Sequence, residues 1–554
     1  MGQPEKKPKR PKASLENIYR IFTIPEGEQT TLGRIDREIS HNLNGFLKDN
    51  IVAAEITAAD LEMDFVETSL YEDPVFVSQQ ADFLLRKVVA RSVHVSSPSF
   101  IGHMTSALPY FMLPLAKIMI ALNQNLVKIE TSKAFTPLER QVIGMMHRLV
   151  YDGSQDFYKK LTQSPDHGLG AFCSGGTVAN LSALWVALNK LFPPGPGFEG
   201  VGEEGLPAAM ARSGYKNLAV LVSDRGHYSF RKAANILGFG KKNLISIPTD
   251  DNSKIRMDLL EETVTRLKQE GTGIIAIVGI AGTTETGNVD PLDAMGELCK
   301  REGIYFHVDA AWGGPTLFSS KYRHLLSGIE KASSVTLDAH KQLYIPMGAG
   351  LVVFKDPEDL NLVQHSAQYV IRKGSRDLGR RTLEGSRPGM AMLVHSGLRI
   401  IGKDGYGMLI DLGIEKAAWF AEFIEDQPDF ELISPPELNL LTYRYIPADV
   451  RQAIQEGDPP LQKTLNDHIN RLNINIQKEQ REAGRTFVSR TTLYPARFKG
   501  LDATVFRVVL ANPLTTRENL KEIIREQRSH ARRLLMQEFT EMHSALKASR
   551  AKKK

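Results

Sequence analysis

The sequence predicts an α/β fold: a large, doubly wound, mostly parallel sheet, a helical N-terminal segment and a small C-terminal α+β domain. Three observations carry that expectation. Between about residues 170 and 354, short apolar runs alternate with stretches of helical period, the pattern of a sheet built from β-α units. The runs are continuously apolar and β-branched, Ile274 to Ile280 above all, as strands covered on both faces are. From about residue 401 the pattern changes to long helices separated by isolated strands.

Each element follows from local pattern. Residues 1–15 read as a basic tail and 16–130 as a helical segment, with apolar residues at helical spacing from Leu61 to Leu70 and from Gln80 to Val93. A large domain is expected over 131–400. It opens on Thr136-Pro137-Leu138-Glu139, read as a helix start with Thr as N-cap, Pro first and Glu third. Strands are expected at Leu218 to Val222, Leu244 to Ile247, Ile274 to Ile280, Ile304 to Val308 and Leu351 to Phe354, and another from Ser333 that leads to Lys341, with a helix from Met257 to Gln269. Residues 355–395 are polar, Arg-rich and glycine-punctuated, the composition of a loop that closes over a site. The small domain, 401–540, holds helices at Ile410 to Ile424, Pro460 to Arg481 and from Thr515 onward, and strands at Leu440 to Tyr445 and Phe506 to Leu510. Residues 541–554 form a second basic tail.

Composition excludes several classes. With 42% hydrophobic and 24% charged residues in 554, the chain is globular and large enough for more than one domain. The net charge of +5 belongs to the ends: residues 1–12 and 547–554 hold ten basic residues and one acidic one, and removing them leaves −4. Such tails are ordinarily solvated, so nucleic-acid binding is not expected of the folded body. Two cysteines, Cys173 and Cys299, make no disulfide framework and point to a reducing, cytoplasmic setting. The charged start lacks the apolar core of a signal peptide. Ala107 to Leu122 is too broken by Pro109, Pro114 and Lys117 to span a membrane. Met1-Gly2 opens like a myristoylation signal, but Lys6 stands where Ser or Thr is needed.

The chemistry gathers at strand ends. Asp338-Ala339-His340-Lys341 ends one predicted strand, where desolvation favours a neutral amine able to form a Schiff base with a carbonyl. His307-Val308-Asp309-Ala310-Ala311 ends another. A Schiff-base lysine and an aspartate are the minimum pair for pyridoxal phosphate (PLP), the carboxylate keeping the ring nitrogen protonated. Ser174-Gly175-Gly176-Thr177 opens a long apolar helix, an arrangement that binds an anion through backbone N–H groups and a hydroxyl. Gly282-Thr283-Thr284 follows a third strand, and His227 follows a fourth, from which an imidazole could lie flat on an aromatic cofactor. Taken singly, Lys341 reads as a surface lysine, Asp309 as a strand-end carboxylate and His227 or His103 as a structural histidine. Arg507, between Phe506 and Val508, is a strand arginine that needs an anionic partner; Arg444, between Tyr443 and Tyr445, is the weaker candidate for that role.

From about residue 95 to about 520, these motifs resemble the group II PLP-dependent amino-acid decarboxylases, of the glutamate and aromatic amino-acid decarboxylase type. Within them the chain is most similar to the bacterial glutamate-decarboxylase-like aspartate 1-decarboxylases, which make β-alanine for pantothenate synthesis. The resemblance implies the PLP-dependent transferase-like architecture (fold type I) and a homodimer with its active site at the interface. It implies that Lys341 holds PLP. Gly176 and Thr177 would bind the phosphate, with Thr284, Asp338 and His340 nearby. His227 would stack on one ring face with Ala311 on the other, and Asp309 would pair with the ring nitrogen. Tyr369 would protonate the substrate carbon after CO2 leaves, and Arg507 would bind the substrate carboxylate. Where the family often has Asn-Gln after Phe, this chain has Gly102-His103, which puts His103 at the substrate. A small acidic amino acid, aspartate first and glutamate or cysteine sulfinate next, is the expected substrate; no metal and no membrane partner are expected. An aminotransferase would use the same Lys-Asp pair, and a nucleic-acid-binding protein on a degenerate PLP fold is the reading from a different class.

Overall fold

The computed structural model describes residues 29–41, 52–53, 56, 58–70, 72–365, 375–498 and 500–538. The large sheet has seven strands: β1 (Gly170–Cys173), β2 (Asn217–Ser223), β3 (Leu244–Ile247), β4 (Thr272–Ile280), β5 (Phe306–Asp309), β6 (Ser334–Asp338) and β7 (Gly350–Phe354), in the order β1-β7-β6-β5-β4-β2-β3. The pairings from β6 through β5, β4 and β2 to β3 are parallel; β7 alone runs against its neighbours. Strand β4 is buried along its whole length, which accounts for its unbroken apolar run. One core lies on each face of the sheet. The helix Gly176–Leu191 packs Ala179, Ala183, Leu184 and Leu188 into one of them, so the glycines of its first turn are carried to the carboxyl ends of the central strands.

A second sheet is fully antiparallel, in the order β10-β11-β9-β8, from β8 (Phe430–Ser434), β9 (Leu440–Tyr445), β10 (Ser489–Leu493) and β11 (Ala503–Val509). One face buries Phe430, Leu441, Tyr443 and Phe506 in a core with the helices Gly402–Glu425, Pro459–Ala483 and Arg517–Glu538. The chain before the large sheet docks on the small one: Ile101 accepts from the Val509 amide at 2.7 Å, donates to the Phe487 carbonyl at 3.0 Å and is buried in the small sheet's core.

Several expectations need correction. The helix Phe135–Tyr151 starts one residue before the expected cap; Ala134 is its N-cap, and Thr136 is buried inside it, its hydroxyl 2.6 Å from that of Ser132. Glu139, read as a capping-box acid, is buried and paired with Arg387. Helix after Leu61 stops at Phe65, and the second N-terminal stretch is three short pieces, Val77–Phe83, a π turn Leu84–Val88 and a 3-10 turn Val89–Arg91. Strand β10 carries Ser-Arg-Thr-Thr-Leu with alternate residues exposed, so an edge strand hid in a polar sequence. Among the described residues no helix is long and apolar enough to cross a membrane.

His147 is buried beneath the sheet edge, one ring nitrogen 2.8 Å from the Tyr158 hydroxyl and the other 3.0 Å from the Phe354 carbonyl oxygen. Burial pushes its pKa down to about 4. In the unfolded chain it takes a proton below about 6.5. Protons are therefore bound preferentially by the unfolded state between these values, and stability is lost as pH falls through the window. Melting temperatures of His147→Gln should fall less steeply than those of the wild type between pH 6.5 and 4.5, the difference reaching at most about 2–3 kcal/mol. Parallel curves would mean that His147 is not carried neutral.

Candidate active site

Strands β4, β5 and β6 end side by side, and their last residues open onto one cavity of about 370 Å³. Gly176, Thr177, His227, Thr284, Asp309, Ala311, Asp338, His340 and Lys341, all named from sequence, line it together. Lys341 Nζ stands 3.1 Å from Asp338 Oδ2, and His340 Nε2 lies 3.6 Å from the same oxygen. The lysine follows β6 in a tight turn that Tyr344 closes with φ of +56°, a left-handed conformation costly for a tyrosine. The turn is held by a closed set of hydrogen bonds: Gln342 Nε2 donates to the Trp312 carbonyl at 2.7 Å, Asn439 Nδ2 to Gln342 Oε1 at 2.7 Å, and Trp312 Nε1 to Asn439 Oδ1 at 2.9 Å.

Asp309 ends β5 with both oxygens occupied by donors. The Ala311 amide donates to Oδ1 at 3.1 Å and Asn180 Nδ2 to Oδ2 at 2.8 Å. The same Asn180 Nδ2 also donates to Ser229 Oγ at 3.1 Å, which fixes the amide so that Oδ1 faces His307 Nε2 at 3.1 Å. His307 must therefore carry its proton on Nε2 and accept at Nδ1, 2.9 Å from the Ser334 hydroxyl. Burial agrees, driving the His307 pKa down to about 4. His227 Nδ1 accepts from the Ser229 amide at 3.3 Å, leaving the proton of its neutral form on Nε2, and burial lowers its pKa as well.

Arg507 lies beyond this cluster, buried in β11. Its Nε donates to the Thr284 carbonyl at 2.6 Å and its Nη1 to the Gly102 carbonyl at 3.2 Å, while Nη2 is buried with no partner. Burial brings its pKa down to about 10, against the pull of Glu285. His103 is exposed rather than enclosed and does not line the cavity, although its neighbour Met104 does. Partial burial of its ring, then the charges of Arg507 and Lys341, hold its pKa below the usual value. Arg444 is elsewhere, paired with Glu431 at 2.7 Å in a different cavity. Tyr369 lies outside the described residues.

Sequence reasoning missed Asn180, Ser229, Ser334 and Arg225. Asn180 was legible only as part of the glycine motif, and His307 only as a neighbour of Asp309. Arg225 lines the cavity two residues before His227, with Nη1 3.0 Å from Glu285 Oε2. Nothing about its spacing marks it.

A match to the pyridoxal-dependent decarboxylase conserved domain spans residues 77–446. The chain belongs to the pyridoxal-dependent decarboxylase family. The aspartate 1-decarboxylase of Aliivibrio fischeri is 55% identical over 519 residues, covering 94% of this chain and 95% of that one. The L-2,4-diaminobutyrate decarboxylase of Acinetobacter baumannii is 26% identical, over 83% and 84% of the two chains. Among solved structures, that of mouse CSAD has a TM-score of 0.78 at 23% identity and covers 90% of this chain and 98% of its own, a likeness of fold.

The cavity of this pyridoxal-dependent decarboxylase fits PLP on its own chemistry. It offers an amine for the aldehyde, a carboxylate at the end of β5 and the open N-terminus of a 16-residue helix for the phosphate. Close approach is built in. A Cβ on Gly176 would stand 2.8 Å from Asp338 Oδ2, and one on Gly350 would stand 2.6 Å from Gly175 Cα, so side chains are excluded from the cradle. Asp338 Oδ1 is buried without a partner, a polar atom left for a bound group to satisfy.

Asn180→Leu removes the donor that Asp309 Oδ2 receives and strands His307. Losing one hydrogen bond to a buried charged group costs about 1.5–3 kcal/mol, so PLP retention after dialysis should weaken by about 10- to 100-fold. Unchanged retention would show that the Asp309 carboxylate does not need Asn180.

Proposed function

We propose that this decarboxylase acts on a short acidic amino acid, releasing the α-carboxylate of L-aspartate as CO2 and forming β-alanine. The observation that carries the reading is Arg507. A buried guanidinium with Nη2 unpartnered, anchored on the Thr284 carbonyl beside the cavity, calls for a carboxylate from the substrate. The choice of aspartate within the acidic class draws on the 55% identity to an aspartate 1-decarboxylase; one methylene in a pocket is worth only about 1–3 kcal/mol.

Bound PLP supplies an electron sink for the pair released when the Cα–carboxylate bond breaks. In this reading Lys341 Nζ would hold the cofactor covalently. Asp309, fixed by Asn180 and the Ala311 amide, faces the ring nitrogen and keeps it protonated. Gly176 and Thr177 would hold the phosphate at the helix N-terminus, with Thr284, Asp338 and His340 around it. His227 would cover one ring face and Ala311 the other. Arg507, with the His103 ring within reach of its charge, would orient the substrate so that the breaking bond stands perpendicular to the ring. Tyr369 is assigned delivery of the proton to Cα after CO2 leaves. A homodimer with the site at the interface, a cytoplasmic location and a supply of β-alanine to pantothenate synthesis belong to the same proposal. Two buried, unpaired cysteines with thiol pKa values pushed up to about 12 suit a reducing compartment.

The test is CO2 release by the purified PLP-loaded protein from aspartate, glutamate, cysteine sulfinate, tyrosine and dopa. Aspartate should lead, and turnover of only the aromatic substrates would sink the reading. Arg507→Leu should cut kcat/KM for aspartate by about 100-fold, as loss of a charge-assisted pair does, while PLP absorbance stays that of the wild type. Lys341→Ala should abolish turnover and leave PLP removable by dialysis, with no borohydride-fixed cofactor on the chain. Fixation of PLP in that variant would place the covalent link on another lysine.

A further inference from the structure

We propose that the small sheet carries a second ligand site, for a small dianion of the phosphate class, in the recess beside its edge strand β8. The recess is a cavity of about 300 Å³ and shares no lining residue with the catalytic cavity. Among the described residues, Arg444, Arg451 and Arg497 line it against a single acid, Glu431.

Arg451 and Arg497 are tied down at one end only, Arg444 through two of its nitrogens. Arg444 lies opposite Glu431 across β9 and β8, its Nε 2.7 Å from Glu431 Oε2 and its Nη1 3.0 Å from Asn466 Oδ1. Its side chain is 3% exposed, and its guanidinium carbon stands 4.7 Å over the Phe498 ring. Arg497 approaches the same ring at 5.3 Å, and its Nη2 donates to the Leu432 and Ile433 carbonyls at 3.1 and 3.0 Å. Arg451 donates to the Phe430 carbonyl, and its Nε is buried without a partner.

A purely structural reading makes Arg451 and Arg497 caps for the free carbonyls of an edge strand. That explains their hydrogen bonds but not their charge. A carbonyl accepts a hydrogen and leaves the cation unbalanced; Arg497 is exposed and Arg451 half-buried, so water answers part of that charge, but nothing answers the Arg451 Nε that is buried without a partner. Among the described residues around this cavity three cations meet one anion, an excess of two. Burial lowers the Arg444 pKa, Glu431 opposes that, and the charges of Arg497 and Arg451 add to it, so the cluster repels itself as it stands. A tetrahedral dianion supplies the missing charge, with oxygens enough for several guanidinium forks at once. The Gln455 and Gln462 amides that also line the cavity suit the rest of a small polar ester.

The test uses the PLP-loaded full chain, because PLP then occupies the other anion site. Inorganic phosphate, glycerol 3-phosphate and malonate, a dianion without a tetrahedral centre, are titrated calorimetrically at fixed ionic strength, with melting temperature as a second readout. The expected result is one saturable event per chain for phosphate or its ester, a raised melting temperature, and affinity at least tenfold lower in Arg451→Gln/Arg497→Gln with CO2 release unchanged. Binding of the ester alone identifies an esterified ligand; equal binding of both identifies free phosphate as sufficient. Should the double variant fail to fold, Arg451→Gln alone must show the loss, because its side chain gives β8 only one bond. No saturable phosphate binding up to about 10 mM, far weaker than a millimolar site allows, would overturn the proposal. So would malonate bound as tightly as phosphate, or a variant that binds like the wild type.

Discussion

A carboxylate at the end of a central, buried strand must be solvated by the protein itself, and much of this site follows from how that is done for Asp309. Water is replaced by the Ala311 amide and by Asn180. Asn180 can serve only if its own amide is oriented, which requires Ser229 on one side and a donor from His307 on the other. His307 can donate from Nε2 only if Nδ1 is satisfied, and the Ser334 hydroxyl does that from the start of the neighbouring strand. A hydrogen-bonded line thus crosses from β6 through β5 to the helix after β1, and each member fixes the rotamer of the next. Buried polar chains of this kind specify structure when complete and are costly when broken. The line also sets where the helix lies, so the glycine-rich first turn is placed by the same constraint.

The lysine is governed from the other side. Its turn needs Tyr344 in a conformation that tyrosine does not favour, so surrounding contacts must hold it. The Tyr344 hydroxyl donates to the Ala511 carbonyl at 2.8 Å, and the Gln342, Trp312 and Asn439 ring links the turn to the residue before β9. The anchors belong to the small domain. Placement of Lys341 is therefore a property of the junction between the sheets and not of β6 alone. Arg507 makes the same junction from the opposite direction, reaching from β11 to the loop after β4.

The strand-end motifs were legible because each combines a fixed local pattern with one reactive residue, and a parallel sheet gathers strand ends by topology alone. That logic placed Lys341, Asp309, Thr284 and the glycine turn on one cavity. It could not reach Asn180, which sits on a helix at a spacing that says only that it faces inward. It could not reach Gln342 or Asn439 either, whose meaning lies in a contact across 97 residues. His103 was placed by correspondence with a motif this chain lacks, and its ring stays outside the cavity lining. Strand β10 escaped because an edge strand facing solvent on alternate positions has no apolar run to find. The Thr136 cap failed because the preceding turn, Ile129–Ser132, runs almost directly into the helix and leaves the threonine hydroxyl a partner in Ser132.

The two arginines weighed for substrate recognition divide along the same rule. Register places Arg507 opposite Thr442, and alternation then puts Arg444, two residues along β9, on that face of the sheet. Both are buried, and both are short of negative charge. They differ in what stands nearby. Arg444 has a cross-strand glutamate and two further arginines, so its deficit is shared by a cluster and calls for a dianion. Arg507 has Glu285 only at the distance of a weak field and spends its hydrogen bonds on neutral carbonyls, so one amino group of its fork is left for one carboxylate. On the two proposals, a single sheet face presents two anion-seeking sites of different capacity, and the neighbours of each guanidinium, more than the guanidinium itself, decide what each can take.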